Sequence, residues 1–185
     1  MKWNRNKVLV AASMTIGLIF GVLRPQLLAE QAHADLVASL QHFAAALSVQ
    51  NSGFTAVFEG IMRYGRTLLL LWACATLPKS HYAALLVLYM RAMALGFSAA
   101  MMVAAFGGRG LAYALALYGL QNLVIMPVYA YTVYFINKNR LALAVRPPEN
   151  LASTVKTAVL GLWAVVAASF IAAYVSPTLF ALIWR

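Results

Sequence analysis

Hydrophobic residues form long runs along the chain, and short stretches between them contain most of the polar and charged residues. A run of about 20 apolar residues is the length that crosses a bilayer as an α-helix. No segment alternates apolar and polar residues as the strands of a membrane β-barrel do. We therefore expect an all-α, polytopic membrane protein with a single domain, 1–185, and about five transmembrane helices. The expected spans are 8–23, 54–77, 82–106, 110–136 and 155–175.

The second of these spans is a composite of two halves. Its first half contains Glu59, Arg63 and Arg66, whereas its second half is nearly all apolar. Glu59 and Arg63 are four residues apart, so they can pair on one helix face. The pattern predicts that 54–77 is an interfacial helix that runs into the membrane.

The longest polar interval, residues 24–53, contains an amphipathic helix at 35–49. Apolar side chains recur there at helical spacing, and polar residues occupy the remaining faces. We expect this helix either to lie on the extracytoplasmic membrane surface, in contact with lipid, or to pack over the bundle. The face that it offers to a partner consists of Leu36, Leu40, Phe43 and Leu47.

Composition and charge agree with a membrane protein. The chain is 64% hydrophobic and 10% charged, whereas a soluble domain has about 25% charged residues. The net charge is +10, but the basic residues are scattered among apolar runs, which excludes a nucleic-acid-binding face. The proposed inner segments contain eight Lys and Arg residues and the outer segments five. This bias predicts a cytoplasmic amino terminus.

Small residues recur at every fourth position on spans 1 and 3. In lipid, such stripes allow two helix backbones to approach closely. They either pack within the bundle, which is their commoner use, or bind a helix of another subunit or of a second copy. Span 1 has Ser13, Gly17 and Gly21, and span 3 has Ala92, Gly96 and Ala100.

Arg91 is the most informative charged residue, because it lies nine residues into span 3, about 14 Å from the end of that helix. A charge at this depth costs at least about 2.5 kcal/mol, so Arg91 is expected to face acceptors inside the bundle. Pro127 interrupts span 4 and frees the Leu123 carbonyl, and Gln121 and Asn122 add side-chain carbonyls. We expect Arg91 to hydrogen-bond this interrupted turn. Alternatively, these residues line a path for an ion or substrate, as broken helices do in transporters.

No catalytic constellation is present in the sequence. It contains neither HExxH nor GxSxG, no membrane-embedded pair of acids and no glycine-rich phosphate loop. The three histidines fall in separate segments, so no metal site and no nucleophile–base pair has a sensible spacing. We therefore expect no enzyme activity, no cofactor and no metal, and an intramembrane protease is disfavoured for the same reason.

Several motifs follow one another along the chain: a stretch from Phe58 to Leu77-Pro78, then Leu88-Tyr89-Met90-Arg91, Gly96-Phe97, Gly107, and Gly119-Leu120-Gln121-Asn122 with Pro127 beyond it. This order resembles the stage II sporulation protein M family. That family has a stretch ending in Leu-Pro, a helix with a basic residue ahead of Gly-Phe, and a Pro-Gln-Asn segment followed by a second proline. The Gly-x-x-x-Gly of the first span is also similar.

The resemblance implies a polytopic subunit of the engulfment machinery of endospore-forming bacteria, in the mother-cell membrane at the septum and the engulfing forespore. It implies an anchor and scaffold for stage II sporulation proteins D and P, which degrade peptidoglycan. Partners are expected to contact the outer surface, residues 24–66, or the small-residue face of span 1. The alternative is a permease-like subunit that uses Arg91 and the interrupted fourth span, working with a separate ATPase.

Overall fold

The computed structural model describes residues 5–47, 53–75, 80–139 and 151–184, and within these ranges the chain is almost entirely helical and has no strand. The expected all-α class is confirmed. The predicted helix ends at residues 49 and 77 and the side chain of Leu47 lie outside the described residues. The helices are α1 (Arg5–Leu23), α2 (Glu30–Leu47), α3 (Phe54–Ala75), α4 (Ser80–Phe106), α5 (Gly108–Ala114), α6 (Leu120–Asn139), α7 (Leu151–Phe170) and α8 (Ser176–Trp184).

The described residues include four helical stretches that are long and apolar enough to cross a membrane, which shows a multi-pass membrane protein. The fifth expected span, in α3, is not among them, because Glu59, Arg63 and Arg66 fall within this 22-residue helix. The four stretches are Arg5–Leu27, Tyr82–Phe106, Gly108–Lys138 and Ala152–Ile183.

Helix α3 nevertheless packs lengthwise against the bundle. It contacts α7 most extensively, and also α4 and α6. On its other side, Leu69 and Leu70 are exposed. Its buried positions are three or four residues apart, so they form one stripe along the helix. The stripe consists of Val57, Gly60, Tyr64, Leu68, Leu71 and Ala75.

The two small-residue stripes pack against each other where α1 crosses α4. A Cβ atom at Gly17 would lie 2.5 Å from the carbonyl oxygen of Tyr89, and one at Gly21 would overlap the carbonyl of Met93. A Cβ atom at Gly96 would in turn overlap the backbone of α1. Ser13 Oγ donates a hydrogen bond to the carbonyl of Leu85 at 2.9 Å. These glycines are therefore used within the bundle, and they bring the two backbones close together.

The fourth span departs from regular α-helix earlier than the sequence suggested. Leu115–Gly119 form a π-helical turn between α5 and α6, and α6 then continues through Pro127. Pro127 and Leu123 are both exposed. The missing N–H of Pro127 therefore falls on the open side of α6, and the helix does not break there.

The last span is longer than expected. The sequence predicts that it ends at residue 175, but a second π-helical turn, Ile171–Val175, leads directly into α8. Pro177 directly follows the widened turn, and the helix continues through it. α8 packs back on the fourth span, and the rings of Phe180 and Tyr113 are 5.1 Å apart.

Candidate functional site

A narrow cleft lies between the middle parts of α3 and α4 and the start of α6. Its volume is about 140 Å³. Arg63 of α3 and Arg91 of α4 both line it, and none of the described residues in its wall is acidic. The other lining residues are Tyr64, Ala94, Leu95, Ser98, Tyr118, Gln121 and Asn122.

The side chain of Arg91 is half-buried and lies over an aromatic ring. Its guanidinium carbon is 5.4 Å from the ring centroid of Tyr64, which is within the distance of a cation–π contact. Tyr64 itself is fully buried. The hydroxyl of Tyr129 donates a hydrogen bond to the Tyr64 carbonyl at 2.7 Å, so α6 fixes α3 at this level. Arg91 therefore has a stacking partner that spacing along a single helix could not reveal.

The π-helical turn determines how the two amide side chains are oriented. Gln121 Nε2 donates to the carbonyl of Leu117 at 2.6 Å, and Asn122 Nδ2 donates to the carbonyl of Tyr118 at 2.7 Å. Both accepting carbonyls belong to the widened turn, whose backbone hydrogen bonds are rearranged. Because each NH₂ group must face a carbonyl, the assignment of nitrogen and oxygen in each amide follows from the geometry.

The opposite end of each amide has no partner. Gln121 and Asn122 are only 4% and 7% exposed, and their Oε1 and Oδ1 atoms accept no hydrogen bond. Both residues line the cleft that Arg63 and Arg91 also line. The residues that line the cleft thus include two cationic side chains and two amides whose buried oxygens lack a donor.

The charge of Arg91 and the two amide oxygens without donors are not fully compensated by contacts within the protein. A charge at the centre of a membrane helix costs at least about 2.5 kcal/mol, and each buried acceptor without a donor costs about 1–3 kcal/mol. The cation–π contact of Arg91 stabilises the protein by only about 0.5–2 kcal/mol. The visible contacts therefore do not offset the costs, and the cleft is chemically suited to a polar occupant.

The structure brings Arg91, Gln121 and Asn122 together, as the sequence suggested, but not around the expected turn. The carbonyl of Leu123 was expected to accept from Arg91. Leu123 is instead 74% exposed, and neither it nor Pro127 lines the cleft. The departure from regular α-helix that lies at the cleft is instead the π-helical turn Leu115–Gly119, which precedes Gln121.

The charged residues of α3 do not form one site. Within the part of the chain that the structure describes, no ion pair joins Glu59 and Arg63, and both side chains are exposed. Arg66 lies outside the cleft. It borders an apolar groove between α3 and α7, beside Trp72 and Leu162.

The predicted apolar face of α2 is divided. Leu40 packs towards a buried cluster of α4, α5 and α8, whereas Leu36 and Phe43 are exposed. The side of α2 nearest the bundle runs through the half-buried residues His33, Val37 and Leu40. The helix lies against α4, and Gln41 Nε2 donates to a carbonyl of α4 at 3.2 Å.

A larger groove, of about 690 Å³, lies where the end of α1, the start of α2, α4 and α5 meet. Its wall is mostly apolar but includes Glu30 and His33. Ala100, which the sequence assigned to helix packing, is half-buried and lines this groove together with Val22. It therefore lies beyond the tight α1–α4 crossing.

Sequence reasoning missed Tyr64, Tyr118 and Tyr129 as members or supports of the cleft. Tyr64 was detectable in principle, because it occupies the apolar stripe of α3. Tyr118 carried no such signal, since it lies within the π-helical turn, where the α-helical period fails. The sequence pattern of Tyr129, Tyr131 and Tyr134 near the end of the fourth span is typical of an interfacial belt, but Tyr129 is fully buried.

Among the described residues, no group of three or more His, Cys, Asp or Glu side chains is arranged to hold a metal ion. Comparison with known proteins gives no further assignment: no family model, no curated protein and no solved structure matches this chain.

Proposed function

We propose that the chain is a multi-pass membrane scaffold subunit without catalytic activity. In this proposal it belongs to the sporulation engulfment machinery and organises stage II sporulation proteins D and P at the mother-cell membrane. The motif order in residues 58–127 supports the engulfment assignment. The exposed apolar residues of α2 carry the scaffold assignment, because a helix that rests on the bundle yet leaves Leu36 and Phe43 uncovered is suited to a partner.

The groove beside α2 adds to this support. It is about 690 Å³ and combines apolar walls with the polar side chains of Glu30 and His33. Such a surface suits a partner segment with an apolar body and a few polar contacts. In the proposed topology, with the amino terminus in the cytoplasm, α2 and the groove face the extracytoplasmic side, where peptidoglycan lies.

The test is a mild-detergent pull-down of the tagged full chain from sporulating cells. We compare the wild type with a Leu36→Ser/Phe43→Ser double variant. The control is Val155→Ser, an apolar position that is at least as exposed, near the start of α7 at the other end of the bundle. Recovery of the two peptidoglycan-degrading partners with wild type and control, and their loss with the double variant, is the expected result.

Recovery of an ATP-binding subunit with neither hydrolase would instead refute the scaffold and favour the alternative, a permease-like subunit. The polar cleft is the observation that supports this second candidate, because Arg91, Gln121 and Asn122 line it together. A permease should lose its cellular function when Arg91 is changed and keep it when Phe43 is changed. A scaffold should show the reverse, provided that both variants reach the membrane in normal amounts.

A further inference from the structure

The cleft between α3, α4 and α6 has two chemical requirements that no described residue meets. Arg63 and Arg91 bring two positive charges to the cleft, and no acid among the described residues lines it. The Oε1 atom of Gln121 and the Oδ1 atom of Asn122 need hydrogen-bond donors, because both atoms are buried and accept nothing. A ligand that meets both requirements carries a negative charge and a donor within one small group.

Simple ions meet only one of the two requirements. Chloride or a carboxylate would neutralise the guanidinium groups but offer no proton to the amide oxygens. A metal cation would suit the oxygens but would be repelled by the two arginines. Phosphate matches the fork of guanidinium N–H donors as a carboxylate does, but as monohydrogen phosphate it also keeps a hydroxyl group that can donate.

We infer that this cleft binds a phosphate group that carries its own hydrogen-bond donor. Monohydrogen phosphate has such a donor, as do the headgroups of phosphatidylethanolamine and phosphatidylglycerol. The phosphate oxygens accept from Arg63 and Arg91, and the ammonium or hydroxyl group donates to Gln121 and Asn122. This inference concerns a ligand of the subunit and does not depend on the scaffold proposal.

The size and openness of the cleft agree with this ligand. Its volume of about 140 Å³ equals that of four or five waters at about 30 Å³ each. This is room for a phosphate with a short polar substituent and not for an acyl chain. Arg63 is exposed, so the cleft is open at this residue and any acyl chains would remain outside.

The test measures binding to the purified full chain in detergent by isothermal titration calorimetry. The probes are inorganic phosphate and the dihexanoyl forms of phosphatidylethanolamine, phosphatidylglycerol and phosphatidylcholine. Phosphatidylcholine has the phosphate, but its quaternary nitrogen has no proton to donate. We expect it to bind at least about tenfold more weakly than phosphatidylethanolamine, because it leaves both amide oxygens without donors.

Arg63→Gln should weaken binding of the preferred probe at least about tenfold. Arg63→Lys, which keeps the charge but loses the fork geometry, should weaken it by a smaller factor. Arg66→Gln is the matched control, because it removes the same charge from α3 outside the cleft. The exposed position of Arg63 allows these variants to fold, and a melting curve for each one verifies this.

Binding of either a donor-bearing lipid or inorganic phosphate, with loss in Arg63→Gln and retention in Arg66→Gln, supports the inference and identifies the source of the phosphate. Equal affinity for phosphatidylcholine and phosphatidylethanolamine would overturn the role of the amide oxygens. Equal weakening by Arg63→Gln and Arg66→Gln would reduce the effect to general surface charge and overturn the site. If none of the probes binds, the proposed phosphate site is also overturned.

Discussion

The glycine contact between α1 and α4 gives the sharpest test of the packing. In Gly17→Ala the new Cβ atom would lie 2.5 Å from the Tyr89 carbonyl oxygen and 3.0 Å from the Ala92 Cβ atom. Ordinary contact begins at 3.4 Å, so α1 must retreat by roughly 0.9 Å, the difference between 3.4 and 2.5 Å. A gap of that size removes a quarter to a half of the dispersion energy of each contact that it opens.

The expected cost of Gly17→Ala is about 1–3 kcal/mol, the range typical of overpacking. At about 2–4 °C per kcal/mol for a chain of this size, the Tm should fall by about 2–12 °C. The assay is thermal unfolding of the purified protein in detergent. Gly65→Ala is the control, since nothing lies within 4 Å of its added Cβ atom.

Gly65→Ala reports the helix-propensity gain alone, and it should raise the Tm or leave it unchanged. If both variants have the same Tm, the close approach of α1 and α4 does not contribute to stability. The stripe of Gly17 and Gly21 would then be free to bind another subunit, and the assignment to internal packing would be wrong.

Three further substitutions test the site and the turn before it. Tyr129→Phe removes the 2.7 Å hydrogen bond to α3 and should cost about 1 kcal/mol in an unfolding assay, whereas Tyr131→Phe, at an exposed tyrosine, should be silent. Gly107→Ala should cost about 1–3 kcal/mol, because Gly107 has φ = +61°, and Gly108→Ala, in the same turn, should not. Arg91→Leu removes a charge whose cost the visible contacts do not offset, so the amount of folded protein in the membrane should be unchanged or higher, and a lower yield would show that Arg91 stabilises the fold.

The sequence predicted those features that depend on one helix at a time. Apolar runs of sufficient length located four stretches that the structure identifies as long and apolar enough to cross a membrane. The four-residue spacing of Gly17 and Gly21 also marked a face for close helix contact, because lipid-embedded backbones approach only where side chains are small. The spacing could not indicate that the partner helix would be α4 of the same chain.

The arrangement around Gln121 could not be obtained in this way. A π-helical turn holds an extra residue, so the helix beyond it is rotated by about 100° relative to a continuous α-helix. A helical wheel drawn through Leu115–Gly119 therefore assigns the wrong face to the residues that follow. The stacking of Arg91 on Tyr64 was missed for another reason, since it joins two helices whose relative rotation no single-helix pattern determines.

The pairing of α1 with α4 has a consequence for how the protein is made. Gly17 and Gly96 are 79 residues apart in the chain, which corresponds to about 4–16 s of synthesis at 5–20 residues per second. For that interval α1 is in the bilayer without its principal partner, and its glycine face is open to any helix with a complementary small-residue stripe. Nascent chains that stop before Gly96 keep this face uncovered. They are therefore the forms that we expect to associate with one another, or to be removed by membrane proteases, before the bundle closes.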